Sequence, residues 1–370
     1  VGFLVFSLSF FDLFSSISRS YLDSSTPVFF NEVFVRIGVL FLLILYNYEW
    51  IQFHQFLYCY IAIYIVKLMV LFYIQLKNKR LSFSFNFSKA HLKEQFKYGF
   101  YVLTGGGAAV LVSRFDMLMI EHYLDLKQVA YYGLAFFIGS VIKVPSRSIS
   151  SISSPLIAKS FEEDNKNNIQ NIYSKTSINL LIIGGVIFLC VMLNIDDILQ
   201  ILPEKFSHGK YVVLFIGSAQ LVNLVAGLHG LILIHSSYYK SIIYFNIFLF
   251  IVTFITNVIF IPKCGINGAA LATFVSILTF NSVRMLYVYK KMNFHPFSIK
   301  TAIALLMILV IYFLISILPL SSASLISSII NIIIRCVIAC SLVIAVVQYF
   351  KLSEDISHII HNSMEKLRRK

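Results

Sequence analysis

Residues 301–318 read TAIALLMILVIYFLISIL, and this stretch decides the class of fold. It carries no charge, and at 1.5 Å per residue a helix of this length nearly crosses a hydrocarbon core about 30 Å thick. Working outward, the same kind of run recurs at 1–15, 28–46, 56–76, 98–120, 129–158, 176–194, 211–235, 241–261, 267–288 and 325–350. The pattern predicts an all-α polytopic membrane protein, a helical bundle with about eleven transmembrane helices. Composition agrees. Of 370 residues 58% are hydrophobic and 13% charged, with a mean hydropathy of +0.83, against about 45–50% and about 25% in a soluble domain.

The charges report orientation. Thirty Lys and Arg give a net charge of +13. Nineteen of them fall in one set of alternate connections, among them Arg19, the cluster from Lys77 to Lys97, Lys159, Lys166, Lys175, Lys240, Lys290, Lys291, Lys300 and the tail from Lys351 to Lys370. The opposite connections hold Lys127, Lys205, Lys210 and Lys263. Basic residues are retained on the cytoplasmic side, so the first set and the C-terminus are predicted to be cytoplasmic. Outside the spans there is no basic domain for nucleic acid, and the excess reads as contact with anionic membrane lipids. The connection 77–97 is the longest polar one and reads as a linker between two helical bundles. The tail 351–370 reads as a short amphipathic surface helix with Ile356, Ile359, Ile360, Met364 and Leu367 on one side.

Seven basic residues remain inside the spans: Arg36, Lys67, Arg114, Lys143, Arg147, Arg284 and Arg335. Three acids accompany them, Asp12, Glu32 and Asp116, leaving four cations to be matched by an anion or water. An ionisable group at the bilayer centre costs at least about 2.5–3.5 kcal/mol, so it faces a partner or a wet pathway. Glu32 and Arg36 are spaced i,i+4 for pairing, and Asp116 is a second charge-pairing or coupling candidate. Lys143 and Arg147 are also i,i+4 and share a face with Ser140, Ser150, Ser151 and Ser154, on a span bent by Pro145 and Pro155. A guanidinium, an ammonium and hydroxyls on one bent helix make a phosphate cradle. Alternatively, they form an internal network with Asp116. Together with Arg114, Lys67 and Arg36, they are the candidate cationic substrate site.

Other features read plainly. Cys59, Cys190, Cys264, Cys336 and Cys340 form neither a disulfide framework nor a metal motif, and no cofactor is indicated. His229 and His235 are either packing residues or proton carriers. Gly105, Gly106 and Gly107 lack the context of a phosphate loop. No catalytic constellation is visible, so the chain is not expected to be an enzyme.

Three stretches together resemble the polysaccharide flippase (Wzx-like) branch of the multidrug/oligosaccharidyl-lipid/polysaccharide exporter superfamily. They are SRSYLDSSTPVFFNEVFVRIG (18–38), FDMLMIEHYLDLKQVAYYGLAFFIGSVIKVPSRSISSISSPLIAKSF (115–161) and CGINGAALATFVS (264–276), in which Gly265, Gly268, Ala269 and Ala272 allow close packing. The resemblance implies a two-lobe bundle of fourteen spans. The eleven here would be the fourth to fourteenth, with the first three preceding Val1. Residues 1–76 would then end the N-lobe, 77–97 link the lobes, 98–292 form the C-lobe, 293–350 add two helices and 351–370 form a cytoplasmic basic tail.

The resemblance implies alternating access in the bacterial inner (cytoplasmic) membrane. The cargo would be an undecaprenyl-diphosphate-linked oligosaccharide, such as an O-antigen, capsular or exopolysaccharide unit, handed on to polysaccharide polymerase machinery. A cation/drug antiporter of the same superfamily would place acids in its cavity. A lipid II flippase carries a diphosphate cargo that charge alone does not separate from the first reading. A membrane glycosyltransferase or polymerase would need a larger outer loop than 195–210.

Overall fold

The computed structural model describes residues 2–21, 23, 25–78, 80, 96, 114–203, 206, 209–317 and 325–358. They form an all-α, multi-pass membrane protein, with no strand among the described residues. The chain divides into two compact units, Val1–Tyr98 and Gly99–Lys370.

The first unit holds α1 (Gly2–Ser20), α2 (Ser25–Asn47) and α3 (Phe53–Lys77). Within α2, Phe29–Phe34 widen into a π-helical turn. Such a turn inserts an extra residue and rotates the rest of the helix about its axis. Where the chain leaves α1 and α3, the Arg80 guanidinium meets the Asp23 carboxylate at 3.0 Å and lies 5.3 Å from the Tyr21 ring. Of the expected linker 77–97, only residues 77, 78, 80 and 96 are described, and the run Gly105–Gly107 lies outside the described residues.

The second unit holds α4 (114–123), α5 (Leu126–Glu162), α6 (Lys166–Met192), α7 (Ile195–Ile201), α8 (Lys210–Ala226), α9 (His229–His235), α10 (Ser241–Met292), α11 (Ile299–Ser316) and α12 (Leu325–Tyr349). Caps set several starts: the side chains of Asp125, Asn165 and Ser298 accept from the backbone N–H three residues on, as N-cap residues do. One apolar core joins Ile120, Tyr132, Ile216 and Ala269, and a second joins Leu181, Ile308 and Val343. The second draws in Leu352 and Ile356 from the start of the tail. There Ser353 bonds Asn179 at 2.6 Å, so the tail begins by docking on α6. Residues 359–370, with the rest of the expected surface helix, lie outside the described residues.

Seven described helices are long and apolar enough to cross a membrane, or eight if α8 and α9, bent by 48°, count as one broken span. The 52 residues of α10 would extend about 78 Å if straight. They do not. Gly265 adopts φ 59°, ψ −137°, a conformation that side chains disfavour, and the chain doubles back. The Thr256 and Ser276 hydroxyls, twenty residues apart, meet at 2.9 Å, where an unbroken helix would hold them about 30 Å apart. Ala269 and Ala272 are buried in the seam, and a Cβ on Gly268 would lie 2.0 Å from the Phe260 carbonyl oxygen. The apolar runs 241–261 and 267–288 are thus the arms of one hairpin. The run 98–120 is described only from residue 114, so the expected count of eleven reaches beyond the described residues.

Candidate functional site

Pro145 shapes the local backbone around Lys143 and Arg147. It has no N–H to give the carbonyl four residues back, and its ring crowds that carbonyl. The helix responds by tightening to a 3-10 turn over Val141–Lys143 before resuming at Val144. Lys143 and Arg147 stand near the middle of the 37-residue α5, and both are exposed on the second unit. Among the described residues neither makes an ion pair or a side-chain hydrogen bond. The serines around them are mostly engaged with their own helix: Ser140 donates to Phe137 O at 2.9 Å and Ser151 to Ser148 O at 2.8 Å. Ser154 instead bonds His235 Nε2 on α9 at 3.0 Å.

The other expected site residues part company with this pair. Arg114 is exposed, 3.8 Å from the Met117 sulfur and 5.8 Å from the Phe136 ring centroid. Asp116 lies buried at 4% exposure, yet it forms no ion pair among the described residues. Its oxygens accept from the Tyr132 hydroxyl and from the Met117 backbone N–H at 2.9 Å. Asp116 thus bonds Tyr132 inside the core, with Arg114 near enough to act on its charge through space.

In the first unit, Arg36 and Glu32 pair at 2.5 Å on the exposed side of α2, as their spacing predicts. Lys67 differs from expectation. It is completely buried within its own unit rather than presented to a cavity. Its ammonium donates to Asn31 Oδ1 at 2.9 Å and sits 4.0 Å and 4.9 Å from the Phe11 and Tyr64 ring centroids. Asn31 lies in the π-helical turn of α2. Ring quadrupoles and an amide dipole thus hold the cation, with the Asp12 and Glu32 carboxylates acting on it through space.

Arg335 also leaves the unmatched set. Its guanidinium pairs with Asp197 at 2.6 Å and donates to Leu193 O at 3.1 Å. Asp197 is buried to 2% exposure on α7. The reading of 195–210 as a plain outer connection missed this, because its first half is a packed helix with Ile195 and Leu199 in the core.

A cluster not assembled from the sequence surrounds the α8–α9 break. Gly227 stands at φ 65° there, and the carbonyls freed by the helix end are taken by side chains of α6, from Ser177 to Val225 O at 2.6 Å and from Tyr173 to Ala226 O at 3.0 Å. His229 comes next, buried, near Arg284 on the second arm of α10. Asn281 bonds Asn223 at 2.8 Å, which bonds Gln220 at 3.1 Å. The signal present in the sequence was the intramembrane Arg284 and His229; the fold alone brings them together. No group of three or more His, Cys, Asp or Glu able to hold a metal exists among the described residues.

Two comparisons bear on this arrangement. Residues 108–259 match the MatE family model, a stretch shorter than half of the chain. The fold is similar to that of a solved structure, the lipid II flippase MurJ in an inward closed conformation. The TM-score is 0.67 at 12% identity, over 94% of this chain and 73% of that one. No curated protein matches the chain by sequence.

Proposed function

We propose that the chain is a flippase for an anionic lipid-linked oligosaccharide, carried on undecaprenyl diphosphate and moved by alternating access across the bacterial inner membrane, its C-terminus cytoplasmic. One observation carries this reading: Lys143 and Arg147 stand exposed near the middle of a membrane-spanning helix with no acid paired to them among the described residues. A bare cation pair inside a bilayer is stable when an anion or water meets it. A diphosphate supplies the charge, and an Arg fork beside a Lys point charge suits its oxygens. The MurJ-like fold and the MatE match support a transporter that alternates its access.

A second reading is favoured by the same fold similarity: lipid II flipping, whose cargo shares the diphosphate and differs in the sugar. The two cargoes separate in proteoliposomes. Full-length protein is reconstituted with either undecaprenyl-diphosphate oligosaccharide or lipid II, and exposure of the sugar on the far leaflet is timed. Oligosaccharide transport that Lys143→Ala plus Arg147→Ala slows about a hundredfold is the expected result. Transport of lipid II alone would move the assignment to the second reading. Undiminished transport by the double variant would sink the role of the cation pair, and efflux of an organic cation with neither lipid moving would replace both readings.

A further inference from the structure

Arg284 is half-buried on the second arm of α10, with its guanidinium 5.2 Å from the Phe280 ring centroid and 5.8 Å from that of Phe245. Among the described residues it makes no hydrogen bond and no ion pair, and its Nε is buried without a partner. His229 is 7% exposed, and the polar groups nearest its ring nitrogens are the Asn281 side chain and the Gly227 backbone, beyond ordinary hydrogen-bond geometry. The guanidinium lies along the backbone of α9 next to this histidine: a Cβ on Gly230 would stand 3.6 Å from Nη2.

Neighbouring polar groups offer no counter-charge. The Tyr173 hydroxyl is engaged by Ala226 O, and the Asn281 amide N–H groups by Asn223 Oδ1 and Ile277 O. The guanidinium is thus a permanent cation with no acid beside it among the described residues, its Nε–H buried without an acceptor. A half-buried cation in a membrane helix with no counter-charge is unfavourable, and an oxyanion relieves it. Lys290 and Lys291, at the end of the same arm, raise the local anion concentration.

We infer that Arg284 and His229 form a binding site for a phosphoryl group within the second unit, the guanidinium being flanked by the Phe280 and Phe245 rings. The planar fork gives two parallel hydrogen bonds to one phosphate edge, and the imidazole a third from another direction. This site stands whichever cargo the protein moves. Its ligand is either free phosphate or the headgroup of a membrane lipid.

Both sources are tested on the purified full chain in detergent. Inorganic phosphate is titrated against chloride at matched ionic strength while thermal unfolding is followed. In parallel, retention of phosphatidic acid over phosphatidylcholine is read by native mass spectrometry. The expected result is saturable stabilisation by phosphate or selective retention of phosphatidic acid, the responding arm naming the source. Either signal weakens about tenfold or more in Arg284→Gln, as loss of a charged hydrogen-bonding group does, and survives Lys143→Ala plus Arg147→Ala. Should Arg284→Gln fail to fold, Gly230→Leu keeps the charge but fills the space beside it, and the same loss is expected. A flat response in both arms, equal stabilisation by chloride, or a signal unchanged in Arg284→Gln or Gly230→Leu would overturn the proposal.

Discussion

Arg335 on α12 and the Lys143–Arg147 pair on α5 begin as the same observation, cations within apolar spans, and the fold treats them in opposite ways. Arg335 is 14% exposed and locked to a buried carboxylate and a backbone carbonyl. Lys143 and Arg147 are exposed, with no ion pair among the described residues. The first arrangement binds α12 to α7 and commits its charge to an internal acid. The second holds nothing together and keeps its donors free. A charge in a membrane helix therefore points to function only after its internal partners have been counted.

The contrast can be broken from the paired side first. Asp197→Asn strands a buried guanidinium and is expected to lower stability by about 3–5 kcal/mol, measured by unfolding in mixed micelles. Replacing both partners, Asp197→Leu with Arg335→Met, should recover most of that loss. On the bare side, Lys143→Ala plus Arg147→Ala is expected to slow transport about a hundredfold, near the combined strength of two charge-assisted hydrogen bonds, with the unfolding midpoint unchanged. A large drop in midpoint would show that this pair is structural after all.

Lys67 sharpens the comparison from the first unit, being buried like Arg335 but hydrogen-bonded to an amide and flanked by two rings, with Asp12 and Glu32 acting only through space. Asn31→Ala is expected to cost about 1–3 kcal/mol of stability and to leave cargo affinity untouched. The smallest effect belongs to the Asp23–Arg80 pair. Burial raises the Asp23 carboxyl, but hydrogen bonds from Arg80 and Thr26 outweigh it and hold the group below its usual range. A carboxylate lowered on folding stabilises the protein above its ordinary value, near 3.8, and loses that contribution as pH falls through the folded value. Stability below pH 4 should therefore fall by about 0.5 kcal/mol more in the wild type than in Arg80→Gln, seen as converging midpoints on acidification.

Hydropathy reads depth along the membrane normal, and most of the helical plan is legible from it. The hairpin at Gly265 was visible as a polar, glycine-bearing interruption between two apolar runs. Azimuth is harder to read. Whether Lys67 faces a cavity or the inside of its own unit depends on Asn31, thirty-six residues away and turned by a π-helical insertion that no periodicity announces. Arg335 finds its acid at a separation of 138 residues, on a segment whose own apolar content is too short to read as a span. The i,i+4 pairs were the exception, because a helix fixes their geometry locally: Glu32 and Arg36 meet as spaced.

The reversal at Gly265 bears on what the turn demands of its surroundings. With a single residue as its turn and a hydroxyl bridge between Thr256 and Ser276, the two arms of 241–292 have no loop to hold them apart, and each covers part of the other from its surroundings. Lys263 stands two residues before the turn, at the tip of the hairpin. Inside a bilayer the backbone at such a turn has to be satisfied by the protein itself or stand outside the hydrocarbon.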